Sequence, residues 1–183
     1  ADESRSWANA DGMEGLLAAA IERLAARQPI SRILCIGQSM GAFAALVAAS
    51  ALKVDAVLAF GPQFSVDPSH MPDEARWSTW SRRITTFRHP VAPLPAGPRI
   101  TLFHGLLDDA AQARAFPRQA GVDHVLFPEL GHSGLCAHLK QRGAFAGLID
   151  AAFADDRRRL LRIAASAGGR LRQRLPGWDQ LPR

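Results

Sequence analysis

Short, continuously apolar runs alternating with helical stretches predict an α/β fold, built on a mostly parallel sheet of about four strands flanked by helices. The runs fall at 32–37, 54–60, 99–104 and 123–128. None alternates polar with apolar, as expected of parallel strands covered on both faces. Helical stretches at 40–51, 109–119 and 134–153 separate or follow them, the rhythm of an α/β domain with right-handed crossovers. The third observation is the motif Gly37-Gln38-Ser39-Met40-Gly41 between the first run and the first of these helices. A G-x-S-x-G in that setting is a nucleophile elbow, a turn so tight that the serine backbone is strained and its hydroxyl stands at the top of the sheet. Gly37 and Gly41 are read as the small neighbours that let strand and helix approach.

Upstream of the elbow, Asp11 followed by Glu14 resembles a capping arrangement. Met13, Leu16, Leu17, Ala20, Ile21 and Leu24 recur at helical spacing, which predicts an amphipathic helix over 11–27 ended by Gln28-Pro29. Residues 61–98 interrupt the rhythm. They hold seven of the twelve prolines and one expected helix, started by Pro72 and carrying Trp77, Trp80 and Ile84 on one face. This segment sits where a cap over a site belongs, or packs its tryptophans downward as a surface excursion. The domain is read as 1–153, followed by a basic amphipathic helix or tail over 154–183. There Leu160, Ala164, Ala167 and Leu171 form a thin stripe, Gly168-Gly169 weakens the helix and Pro176 ends it. Such a tail either docks on the domain or binds an acidic partner or membrane surface.

The 183 residues suffice for one domain burying roughly 70% of its unfolded surface. The net charge of +5 comes entirely from 154–183, where eight arginines face three aspartates. Arginine outnumbers lysine twenty to two, which with so much alanine reads as a compositional bias rather than a phosphate-binding design, and no nucleic acid is expected as a partner. No apolar stretch reaches the ~20 residues of a membrane span. Asp2, Glu3 and Arg5 stand where a signal peptide would be apolar. Two cysteines, Cys35 and Cys136, argue against a disulfide framework and for a cytoplasmic setting.

A serine hydroxyl is a poor nucleophile at pH 7, so it needs a base, and the base needs an orienting acid. Both occur just after strands, where open α/β sheets place their sites. Asp108 follows the run ending Leu102-Phe103-His104-Gly105, and His132 follows the run containing Val125-Leu126-Phe127. Asp108 fits the glycine-to-acid spacing; Asp109 is the alternative acid, with Asp108 then capping the next helix. His104 is read as a structural histidine and His124 as belonging to neither motif. His138 is six residues past His132, the wrong spacing for a helical metal pair, so no metal site and no cofactor are expected. Gln38, Gln63, Trp77 and Trp80 are candidates for substrate contact, with turn capping as the alternative role for Gln63. Arg76 and Arg83 flank the tryptophans, as anion holders or solvated surface. Ser39 as a plain helix N-cap is the competing reading of the motif.

Three anchors in this order resemble the α/β-hydrolase superfamily: the elbow, an acid in His104-Gly105-Leu106-Leu107-Asp108, and a histidine in Gly131-His132. The resemblance covers about residues 11–153. It implies Ser39 as nucleophile, His132 as general base and later acid, Asp108 as orienter, and the Met40 N–H as an oxyanion donor. Ser-Met-Gly-Ala-Phe-Ala-Ala-Leu followed by Ala-Phe-Gly-Pro-Gln-Phe-Ser looks like bacterial members associated with surface-polysaccharide and glycan biosynthesis. The implied activity is ester hydrolysis through an acyl-serine, on a small-molecule or carbohydrate-linked ester. Acyl transfer to a sugar hydroxyl, or a non-catalytic binding module of the same fold, are the alternatives. Members usually carry strands before the elbow strand, and this chain begins one helix upstream of it. The expectation is therefore either the C-terminal portion of a larger hydrolase or a minimal form that borrows its missing edge from a partner chain, with an unpaired sheet edge and an exposed apolar patch.

Overall fold

The computed structural model describes residues 3–178, without the Glu3 side chain, so the last five residues of the basic tail lie outside the described part. In chain order the elements are α1 (Met13–Ala25), β1 (Leu34–Gln38), α2 (Met40–Ala51), β2 (Ala56–Phe60), α3 (Ser78–Ser81), β3 (Arg99–Gly105), α4 (Leu106–Ala115), β4 (Val122–Phe127), α5 (Leu135–Gln141), α6 (Ala144–Phe153), α7 (Arg157–Ser166) and β5 (Arg170–Leu171). The sheet runs β1-β2-β3-β4-β5 in sequence order. The first four strands are parallel, and β5 returns antiparallel along β4. This is the α/β architecture that the apolar runs predict, with one short strand added by the tail.

Every residue of β2 is buried, and so is β3 beyond Arg99, because helices cover both faces. On one face Phe43, Leu46 and Val47 of α2 pack with Val57 and Ala59 of β2, Ile100 and Leu102 of β3, and Phe116. On the other, Leu58, Phe60, Phe103, Val125 and Phe127 meet α5, α6 and α7. Phe60 and Phe103 stack at 4.6 Å between ring centroids. Alternate residues of each strand thus serve opposite layers, which explains why the strand sequences show no polar periodicity.

The junction between β1 and α2 rests on one glycine. A Cβ at Gly37 would lie 2.1 Å from the carbonyl oxygen of Gly41, a backbone atom that cannot swing away. Gly41 itself has open space around its missing Cβ, so the expectation that both glycines are sterically required holds for Gly37 alone.

Several local expectations give way to tertiary structure. Helix α1 is shorter than 11–27, and its N-cap is Gly12 in the left-handed region rather than Asp11. None of its residues is buried, although its sequence is amphipathic. Leu16 is 72% exposed, and Ile36 on the edge strand β1 is 43% exposed. Helix α4 starts at Leu106, directly off β3, rather than at 109. The stretch 134–153 breaks into α5 and α6 at Gly143, which has φ of 66°. Of the helix expected after Pro72 only the four residues of α3 form. Glu74 and Arg76 are instead drawn into bonds with Gln112 and Asp109. The basic tail is docked: Leu160, Ala164 and Ala167 belong to the same apolar layer as α5 and α6. Asp156 caps α7 by accepting from the Arg159 N–H. Leu171, expected on the helical stripe, pairs in β5 instead.

His104 and His124 face each other inside the first layer, Nδ1 to Nε2 at 2.8 Å. Pro62 can offer His104 only a carbonyl, 2.9 Å from Nε2, so that nitrogen carries the proton. His104 Nδ1 then accepts from His124 Nε2, and both rings are neutral. Burial pushes His104 down to about 4 and His124 well below its usual value.

Two measurements check this architecture. Gly37→Ala should lower stability by several kcal/mol through the backbone collision, whereas Gly41→Ala should be neutral or stabilising by up to about 1 kcal/mol; chemical denaturation of both variants reads the contrast. Unfolded imidazoles titrate near 6.5, so below that pH the unfolded chain binds protons that the buried rings refuse. Stability is then complete above pH 6.5 and falls as pH drops toward 4, by about 3 kcal/mol for His104 alone. A urea series from pH 7 to 5, above most carboxylate titration, should already show the decline; a flat profile would contradict a neutral buried pair.

Candidate active site

The elbow places Ser39 at φ 55° and ψ −125°, a conformation that costs a non-glycine residue of order 1–3 kcal/mol. Its N–H donates to the Phe60 carbonyl at 2.8 Å, fixing the turn to the top of β2. The hydroxyl makes no capping bond to α2; a simple N-cap role is therefore not what the side chain does. Instead Ser39 Oγ lies 2.9 Å from His132 Nε2.

His132 opens a short 3-10 turn after β4 and is buried. Its Nδ1 is 2.6 Å from Asp109 Oδ2. A carboxylate can only accept, so Nδ1 carries the proton and donates it to Asp109, leaving Nε2 to accept from Ser39. The acid aligned with the imidazole is Asp109 and not Asp108, on which the glycine-to-acid spacing settles. The reason is helical phase: α4 begins at Leu106, so the two aspartates point about 100° apart. Asp108, exposed, turns to the other partner and accepts the His132 backbone N–H at 2.6 Å. One carboxylate thus orients the ring, and its neighbour pins the loop that carries it. Gly61, at φ 57°, gives the ring room: a Cβ there would meet His132 Nδ1 at 3.0 Å.

Asp109 is 1% exposed, and its other oxygen accepts from Arg76 Nη1 at 2.9 Å. Burial pushes its carboxyl up, but the bonds from His132 and Arg76 outweigh that and hold it below the usual carboxylate range. Arg76 also pairs with Glu74, which accepts from Gln112 Nε2. Gln112 in turn accepts from the Phe64 and Ser65 N–H groups. Arg76 is therefore committed to the acid rather than left as an anion holder or as solvated surface.

The remaining sequence candidates divide. Gln63 is buried, and its Nε2 donates to Ser39 Oγ at 3.2 Å. Trp77 stands beside His132 at 5.1 Å between ring centroids. Its buried indole Nε1 has no partner among the described residues. Trp80 is 41% exposed and tilts against Trp77 at 6.3 Å. Met40 supplies the first helical N–H of α2, one of the amides that a helix leaves without an internal partner. Gln38 ends β1 exposed, without a hydrogen bond to the other site residues. Sequence reasoning misses Trp7 altogether. Its indole N–H donates to Gln63 Oε1 at 2.8 Å, and its ring meets Trp77 edge-on at 6.4 Å. No periodicity or motif marks it, since the contact closes a separation of fifty-six residues.

Among the described residues no group of His, Cys, Asp or Glu is arranged to hold a metal ion, and no helix is long and apolar enough to cross a membrane. Comparison with protein families, curated proteins and solved structures finds no match for this chain.

The two aspartates should separate cleanly by mutation. Asp109→Asn removes the charge that orients the imidazole and should slow modification of Ser39 by a fluorophosphonate roughly 10³–10⁴-fold. Asp108→Asn keeps an oxygen able to accept the His132 N–H and should stay within about tenfold of wild type. Equal losses, or a larger loss at Asp108, would contradict the assignment.

Proposed function

We propose that this protein is a serine hydrolase of the α/β-hydrolase type, cleaving an ester through an acyl-Ser39 intermediate. One observation carries the reading: Ser39, His132 and Asp109 stand in series at 2.9 and 2.6 Å, with the nucleophile on a strained turn. Nucleophile, base and orienter come from the turn after β1, the 3-10 turn after β4 and the first turn of α4 directly off β3, all at the carboxyl ends of the strands, the edge at which open α/β sheets bind ligands.

The chemistry follows from the protons. Ser39 Oγ gives its proton to His132 Nε2 as it forms a bond to the ester carbon, and the carbonyl electron pair moves onto oxygen. The resulting imidazolium is stabilised by the ionised Asp109. The Met40 N–H, at the positive end of α2, is the donor to the oxyanion. Collapse expels the alcohol, which takes the proton from Nε2, and leaves the acyl-serine. Water then gives a proton to Nε2 and attacks the acyl carbon; departure of Oγ, reprotonated by His132, releases the acid. Arg76 and Glu74 hold Asp109 in place throughout and exchange no proton.

The substrate we propose is a carbohydrate-linked ester. Trp77 offers a buried indole N–H with no partner beside His132, suited to a substrate hydroxyl or carbonyl. Trp80 adds an exposed ring next to it. The open edge of β1 with its exposed Ile36 is where a partner segment would extend the sheet. Unpaired Cys35 and Cys136 support a cytoplasmic setting.

A fluorophosphonate probe should add one phosphonyl group to wild-type protein, mapped by peptide mass to Ser39, and Ser39→Ala should remove it. Folded protein that stays unmodified, or label on another residue, would reject the acyl-enzyme.

A further inference from the structure

We infer that Gln63 is a catalytic residue acting on Ser39 Oγ, and that Trp7 is the positioning residue that makes it act with the right sign. The inference rests on the acyl-enzyme reading and assigns roles that the triad does not include. Gln63 is 1% exposed, and its amide is bound at both ends. Oε1 accepts from Trp7 Nε1 at 2.8 Å, while Nε2 donates to Ser39 Oγ at 3.2 Å and more distantly to the Gly61 carbonyl at 3.4 Å.

An amide has a donor end and an acceptor end, and they would have opposite effects on the serine. With Nε2 toward Oγ, the serine proton is left free for His132, and an N–H already faces the oxygen that gains charge. With Oε1 toward Oγ, the serine would donate to the amide and lose its alignment with the base. Trp7 can only donate, so it selects the productive orientation. The backbone is bent to bring it there: Trp7 and Ala8 sit at φ 52° and 57°, a conformation sparsely populated outside glycine, yet both are buried. Asn9 anchors the segment, donating to the Ser4 and Thr86 carbonyls and accepting from the Arg88 N–H.

The Gln63 N–H contributes at two moments. During acylation it stabilises Oγ as the O–H bond breaks toward His132 Nε2 and the Oγ–carbon bond forms. During deacylation it stabilises Oγ again, as that bond breaks, its electron pair returns to Oγ, and the proton comes back from Nε2.

The test is a double-mutant cycle on the full chain. It uses Trp7→Phe, Gln63→Met and the pair, measuring p-nitrophenyl acetate turnover and the fluorophosphonate rate on the high-pH plateau. Gln63→Met should lower kcat roughly tenfold with KM little changed, and Trp7→Phe about three- to tenfold. The pair should be no slower than Gln63→Met alone, because Trp7 acts only through the amide. Wild-type kcat in Trp7→Phe, or additive losses in the pair, would overturn the inference. Should Trp7→Phe not fold, Gln63→Glu serves instead. Its carboxylate still accepts from Trp7 but cannot donate to Oγ, so the plateau rate should drop about tenfold, and an unchanged rate would overturn the inference. Wild-type protein that neither reacts nor turns over would reject the acyl-enzyme and this inference with it. A reactive wild type with indifferent variants would reject this inference alone.

Discussion

The approach of the Gly37 Cα to the Gly41 carbonyl governs the geometry of the site. Because no side chain separates them, α2 can start immediately off β1, and the one residue between is forced to a positive φ. A serine there cannot fold its hydroxyl back onto the helix as a cap; it projects from the rim of the sheet toward whatever the neighbouring strands present. Strain is held in place by packing: α2 buries seven of its residues, and the Ser39 N–H is tied to β2. The rigid core thus holds a conformation that an isolated peptide would not keep.

What meets the hydroxyl there is a run of alternating charge and polarity, drawn from segment 61–98, α4 and the turn after β4. Glu74, Arg76, Asp109, His132 and Ser39 follow one another through hydrogen bonds, with Asp109 and His132 buried and Arg76 and Ser39 partly exposed. Burying Asp109 alone would favour its protonated form. Two positive or donating partners, one at each oxygen, keep it ionised, and that ionisation fixes the tautomer of His132. Asp108 works differently, through the backbone amide of the same histidine. The loop position and the ring orientation are therefore set by separate carboxylates, adjacent in sequence and divergent in space.

The irregular segment 61–98 and residues 3–10 form the roof of this arrangement. The segment supplies Gln63, Glu74, Arg76, Trp77 and Trp80. Asn9 and Arg88 bind the two stretches together. Apart from the four residues of α3, its lack of regular secondary structure follows from this task. Side chains that an exposed helix would leave in water are instead turned inward, toward Asp109 and Gln112, and the chain takes the path those bonds require. Opposite the roof, α7 and β5 close the far side of the sheet, so the arginine-rich tail is structural where Leu160, Ala164 and Ala167 enter the core.

The amino-acid sequence by itself determined what depends on near neighbours. Continuous apolar runs mark four parallel strands, of which β1 is a partly exposed edge, an alanine-rich apolar stretch marks α2, and glycine at 37 permits the elbow. Ser39 and His132 were legible for the same reason, since each follows a strand in a loop of recognisable composition. Tertiary structure decided what depends on direction and on distant partners. The choice between Asp108 and Asp109 turned on where α4 begins, because a helix rotates successive side chains by about 100° and a change of start re-aims both. The loss of the Pro72 helix and the absence of buried residues in α1 followed from competing long-range contacts, or from the lack of a surface to bury against. Trp7 meets Gln63 only because the fold closes fifty-six residues of chain. Local pattern records which atoms a residue carries and which backbone it prefers; which partner those atoms meet is fixed only when the layers pack.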